Sequence, residues 1–177
     1  MRKLENQELP RLDIRSFKEH PKNPLVLVLD NIRSLNNVGS AFRTADAFLL
    51  EKIYLCGITG KPPHREINKT ALGATESVDW EYHESITETI SQLTKNGYKV
   101  ALVEQADTSI MLMDFRPDPD NKIALVFGNE VFGVHEDLLP MADYCLEIPQ
   151  YGTKHSLNIS VSVGIVVWAV LEKMGRL

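Results

Sequence analysis

Residues 25–30, LVLVLD, form an unbroken apolar run of strand length. A strand with one wet face alternates polar and apolar residues. One that is apolar throughout must be covered on both faces, as parallel strands of α/β sheets are. KVALVE (99–104) and IALVFG (123–128) read the same way, IYLCG (53–57) reads as a further strand, and CLEIP (145–149) as the last. Between the runs the period becomes helical. Val38, Ala41, Phe42, Ala45, Phe48 and Leu49 fall on one helical face. Ser85-Ile86-Thr87-Glu88 matches a capping box and starts a helix that stops near Gly97. Residues 67–74 and 135–141 predict short helices, Val78–Tyr82 a strand, and 157–174 a long helix apolar on most sides. Residues 108–122, with two prolines, predict a long loop. This alternation specifies an α/β fold, a mostly parallel sheet flanked by helices, with ligands bound beyond the carboxyl ends of the strands.

Of the 177 residues, 44% are apolar and 24% charged, ordinary for a globular domain. Residues 1–23 read as a basic arm and 24–177 as one domain. The net charge of −5 argues, by itself, against a nucleic-acid partner, but its distribution matters more. The arm is net +2, the remainder net −7, and a second basic cluster sits at Lys61, His64, Arg65 and Lys69. The N-terminus has no apolar leader core, and GIVVWAVL (164–171) is too short to span a bilayer. Cys56 and Cys145 lie in apolar runs without CxxC spacing, which predicts free buried thiols, no zinc site and a reducing cytoplasm. The five histidines are scattered, so no metal is expected.

The sequence lacks GxGxxG, GxxxxGK[ST] and GxSxG. Three other segments place polar or glycine-rich residues just after buried strands: 36–43 (NNVGSAFR), 127–133 (FGNEVFG) and 148–158 (IPQYGTKHSLN). Each has an ordinary structural explanation. Asn36 or Asn37 would cap a helix, Arg43 would form an ion pair, Gly128 and Gly133 would make turns, Ser156 would cap the last helix, and Asn158 would be incidental upon it. Together, three such segments at strand ends outline a ligand crevice.

Their spacing resembles the three motifs of the SpoU (TrmH-like) branch of the SPOUT RNA methyltransferases, over about residues 24–174. Asn37 and Arg43 match the first motif. Gly128-Asn129-Glu130-Val131-Phe132-Gly133 matches the second, G-x-E-x-x-G. Ile148 through Asn158 matches the third, I-P-x-x-G-x-x-x-S-L-N, with Gln150 where Met is frequent. The resemblance implies a C-terminal deep trefoil knot and S-adenosylmethionine held by Val103, Glu104, Gly128, Asn129, Ile148, Gln150, Gly152 and Leu157. It implies methyl transfer to a ribose 2′-hydroxyl of tRNA or rRNA, carried by Arg43, Asn37, Glu130, Ser156 and Asn158. Arg43 would act from the partner subunit of a homodimer, with Glu130 holding it in place. Two other readings are weighed beside this one: a non-catalytic RNA-binding relative, against which the intact Arg43, Glu130, Ser156 and Asn158 argue, and an α/β enzyme acting on a small nucleotide.

Overall fold

The computed structural model describes residues 1–5, 8–154 and 156–177. Its strands are β1 (Asn23–Asp30), β2 (Leu50–Cys56), β3 (Trp80–His83), β4 (Tyr98–Val103), β5 (Ile110–Met111), β6 (Lys122–Phe127) and β7 (Tyr144–Glu147). Its helices are α1 (Ile14–Glu19), α2 (Leu35–Ala47), α3 (Arg65–Ala71), α4 (Ala74–Ser77), α5 (Ile86–Lys95) and α6 (Ile159–Lys173), with a 3-10 turn at Glu136–Met141. The strands form one sheet in the order β3-β2-β1-β6-β4-β7-β5, and every neighbouring pair is parallel.

The unbroken run in β1 has a direct cause. Leu25, Leu27 and Leu29 join a core with Phe42 of α2, Ile67 of α3 and Val163, Val166 and Val170 of α6. Val26 and Val28 point the other way, into a second core with Ile90 and Leu93 of α5 and with Leu138. Both faces of the strand are therefore dry. Removing one such side chain, as in Leu27→Ala, costs about 2–5 kcal/mol.

Several sequence expectations need correction. Residues 108–122 are not wholly loop, because Ile110 and Met111 pair with Leu146 and Glu147 at the sheet edge. Both are exposed, so this two-residue strand leaves no hydrophobic period to read. Residues 67–74 are two helices, not one, since Leu72 (φ 50°) and Gly73 (φ 92°) turn left-handed between α3 and α4. Neither Asn36 nor Asn37 caps α2. The cap is Ser34, whose side chain accepts from the Asn37 backbone N–H. Ser156 does not cap α6, and Asn158 does, its Oδ1 accepting from Ser160 N at 2.9 Å. The capping box at Ser85 holds, with its hydroxyl accepting from Glu88 N. Cys56 is buried and Cys145 only half-buried, and both are free thiols. Burial pushes the Cys56 thiol up to about 11.

α6 is buried along one side only. Val161, Ile165 and Trp168 form an exposed apolar stripe at helical spacing, and Trp168 meets Phe48 edge-on at the end of α2. No helix among the described residues is long and apolar enough to cross a membrane.

Candidate active site

β6, β4 and β7 are adjacent in the sheet, and a cavity of about 590 Å³ opens beyond their carboxyl ends. This is where an α/β sheet binds its ligand, and the volume lies in the ordinary range for small-molecule sites. Val103 and Glu104 line it from β4, Gly128 through Val134 from β6, and Leu146 through Ile148 from β7. Gln150, Ser156 and Leu157 close it from the segment ahead of α6.

The loop after β6 is tied by several hydrogen bonds. Asn129 and Gly133 exchange backbone hydrogen bonds of 2.9 and 2.8 Å. The Asn129 amide donates to Asn31 O, while its oxygen accepts from Val131 N and Phe132 N. Gly133 sits at φ +70°, and a Cβ there would lie 2.2 Å from Glu104 Oε2. That oxygen accepts from Val134 N, and its twin accepts from Gln105 N. A glycine is required at 133 because the backbone is left-handed and the carboxylate passes directly above it.

Glu130 turns out of this loop toward the start of α2. Its carboxylate accepts from the backbone N–H groups of Arg33 and Ser34, at 3.1 and 3.2 Å, and from Asn37 Nδ2 at 3.4 Å. Burial raises the proton affinity of the Glu130 carboxyl. The hydrogen bonds from Arg33, its own backbone, Ser34 and Asn37 outweigh that and hold it below the usual carboxylate range. The carboxylate also faces a helix N-terminus, where negative charge is favoured.

Arg43 is elsewhere. It lines a second hollow with Ser40, Thr44, Phe48, Lys69 and Thr70, and a third with Arg11 of the N-terminal arm and Leu72. Helix geometry explains the separation. Six residues along α2 put Arg43 about 9 Å beyond Asn37 and about 120° around the axis. Asn37 faces Glu130, and Arg43 is turned away from that contact. The expected contact of Glu130 with Arg43 is not made within one chain; Glu130 is committed to Arg33, Ser34 and Asn37.

The remaining sequence candidates divide similarly. Val103, Glu104, Gly128, Asn129, Glu130, Ile148, Gln150, Ser156 and Leu157 share the crevice wall. Gly152, Asn158, Asn37 and Arg43 are not on it. His155, inside the third motif, lies outside the described residues. Sequence reasoning missed Glu136 and Glu147, and Phe132 as a wall residue. Glu147 is the last residue of β7 and was read only as strand, although it also lines the crevice.

Electrostatics shows what the crevice suits. Four carboxylates, Glu104, Glu130, Glu136 and Glu147, lie on its wall, and no Lys, Arg or His does among the described residues. Apolar Val103, Ile148 and Leu157 alternate with polar Gln150 and Ser156. Such a site fits a largely apolar ligand carrying positive charge and repels a polyanion. No group of His, Cys, Asp or Glu among the described residues is arranged to hold a metal ion.

The SpoU rRNA methylase family model matches residues 24–168. The chain belongs to that family. Among SpoU relatives, a Borreliella burgdorferi protein named as an uncharacterized tRNA/rRNA methyltransferase is 29% identical over 164 residues, covering 93% of this chain and 70% of the relative. A tRNA (guanosine(18)-2′-O)-methyltransferase of the same organism is 29% identical over 154 residues, covering 87% and 69%. The crystal structure of an AdoMet-bound rRNA methyltransferase from Sinorhizobium meliloti superposes with a TM-score of 0.79 at 25% identity, covering 88% of this chain and 59% of that one. The seven-stranded parallel sheet is thus the SpoU sheet, and the three segments that outlined a crevice in the sequence border one crevice or its supporting helices.

Proposed function

We propose that this SpoU protein is an S-adenosylmethionine-dependent RNA methyltransferase acting on a ribose 2′-hydroxyl of structured RNA, tRNA or rRNA, as a homodimer. The observation that carries the reading is the acidic, part-apolar crevice at the strand ends, bordered by motif residues and lacking any described cation. A cofactor with a sulfonium and an ammonium group matches that wall. Related proteins bear names with this chemistry, and one was crystallised with AdoMet.

In this reading Val103, Glu104, Gly128, Asn129, Ile148, Gln150 and Leu157 hold the cofactor from the crevice wall, and Gly152 belongs to the same segment as Gln150. The cofactor, when bound, supplies a methyl group already activated by positive sulfur. The protein positions the hydroxyl and stabilises charge as it develops on the ribose oxygen. The Arg43 guanidinium serves as an electrostatic clamp on that oxygen or the adjacent phosphate. Glu130 fixes the start of α2 and Asn37, and through α2 the place of Arg43. Ser156 orients the ribose from the wall, and Asn158 fixes the start of α6 behind it.

The same geometry supports the homodimer. RNA needs cations, the crevice offers none among its described residues, and Arg43 opens onto a different hollow. A partner protomer's Arg43 completes the site. The exposed stripe of Val161, Ile165 and Trp168 beside Phe48 supplies an apolar interface. The trefoil knot belongs to the same reading, and the likeness to the SpoU fold supports it. Free thiols and an RNA substrate fit the cytoplasm.

The test is transfer of tritium from labelled S-adenosylmethionine to RNA from cells lacking the gene, followed by mapping of 2′-O-methyl marks. Label that appears at one ribose supports the reading. Label on a base, or none on any RNA fraction, contradicts it.

A further inference from the structure

We propose that Phe132 is a stacking platform for the nucleobase of the target nucleotide. This inference rests on the RNA reading of the crevice. Phe132 is 86% exposed, although a Phe side chain normally carries a large buried area. The exposure is not looseness of the loop. Phe132 N donates to Asn129 Oδ1, Asn129 is bonded to Gly133 on one side and Asn31 on the other, and Glu130 is bonded to the start of α2. A turn anchored at Asn129, Glu130 and Gly133 holds an aromatic ring out into solvent at the edge of the crevice. Phe127, the other aromatic side chain on the wall, is buried, so Phe132 is the only exposed aromatic among the described wall residues.

The proposed reaction dictates what meets that ring. A ribose hydroxyl must enter the crevice, and its base is covalently attached to the same sugar. Where the target lies in a loop or bulge of structured RNA, its base arrives at the crevice edge with its own stacking neighbours lost. RNA-binding proteins meet such bases with aromatic faces. A pre-fixed ring loses little conformational freedom on binding. A neutral base also tolerates the carboxylates that repel the phosphates. Stacking accepts any base, so Phe132 would position the nucleotide and leave sequence choice to other contacts.

Three variants test this. Phe132→Ala should lower kcat/KM for RNA about tenfold or more, with cofactor affinity by calorimetry unchanged within about twofold. Phe132→Trp should restore turnover, whereas Phe132→Leu, apolar but without an aromatic face, should restore little. The fluorescence of Phe132→Trp, referenced to the wild-type signal from Trp80 and Trp168, should be quenched by a single-stranded oligoribonucleotide and not by an abasic analogue of equal length. Equal quenching by both, full rescue by Leu, or unchanged kcat/KM in the Ala variant would overturn the proposal. So would dissociation of the Ala variant to monomers in sedimentation, which would assign the ring to a protein interface. If wild-type protein transfers no methyl to any RNA, the methyltransferase reading fails by itself, and the quenching experiment still decides the stacking.

Discussion

The crevice beyond β6, β4 and β7 and the hollow between α2 and α3 are opposite in character. The first is walled by four carboxylates and no described cation. The second gathers Arg43 and Lys69, with Arg11 in the adjoining hollow. One suits a cationic cofactor and the other a phosphate backbone. The same helix serves both, since Asn37 supports the crevice through Glu130 while Arg43 opens onto the basic side. In the proposed reading the crevice and the hollow are two halves of a methyl-transfer site that do not face each other within one chain. Two copies together would complete it, and each half can be damaged separately.

The largest expected effect comes from the basic half. Arg43→Ala should reduce methyl transfer by about 10²–10³-fold or more, the scale of losing one oxyanion donor, with cofactor affinity unchanged within about twofold. Tritium transfer and calorimetry measure the two quantities. Equal losses in both would place Arg43 in the cofactor half and erase the contrast.

The interface comes next. Trp168→Glu puts a charge into the stripe of Val161 and Ile165. It should yield folded monomers in sedimentation, with normal circular dichroism and at least about tenfold lower activity. Active monomers would show that both halves serve one chain.

The acidic half gives a smaller, pH-dependent effect. Hydrogen bonds hold the Glu130 carboxyl below its usual range despite burial. A depressed carboxylate stabilises the fold above its unfolded pKa, about 4.3, and the contribution is lost as pH falls through the folded value. Glu130→Gln should therefore lower stability at pH 7 by about 1 kcal/mol, with the difference from wild type vanishing in acid. Urea titrations across pH 3–7 measure this. A constant difference would mean that the charge is not what binds the loop to α2.

The smallest effect belongs to a support residue. Asn158→Ala removes the cap of α6 and should cost about 0.5–2 kcal/mol, read as a lower urea midpoint. A direct role on the substrate would show as lost turnover at unchanged stability.

The sequence made the sheet legible wherever burial is two-sided. β1, β4 and β6 each carry an unbroken apolar run because alternate residues enter different cores. β5 was illegible, being two exposed residues whose pairing depends on Glu147, far along the chain. Helix caps were misassigned because Ser34, Asn36 and Asn37 compete within four residues, and side-chain chemistry does not choose among them. The wall residues were largely legible, since they follow strands. The division of labour was not. Motif spacing places Asn37 and Arg43 together, yet a spacing of six turns them apart on a helix. Phe132 gave no signal either, because an aromatic residue in a strand-end loop reads as core until its exposure is known.

The most direct test of a site shared between subunits is a mixed dimer. One subunit carries Arg43→Ala, and the other carries Leu157→Trp, which fills the crevice from an exposed wall position. Each homodimer should be inactive. If Arg43 acts across the interface, the mixed dimer keeps one intact crevice facing one intact Arg43 and regains about half of wild-type activity, as expected for one of two independent sites. A mixed dimer as inactive as its parents would contradict the account and return Arg43 to the crevice of its own chain.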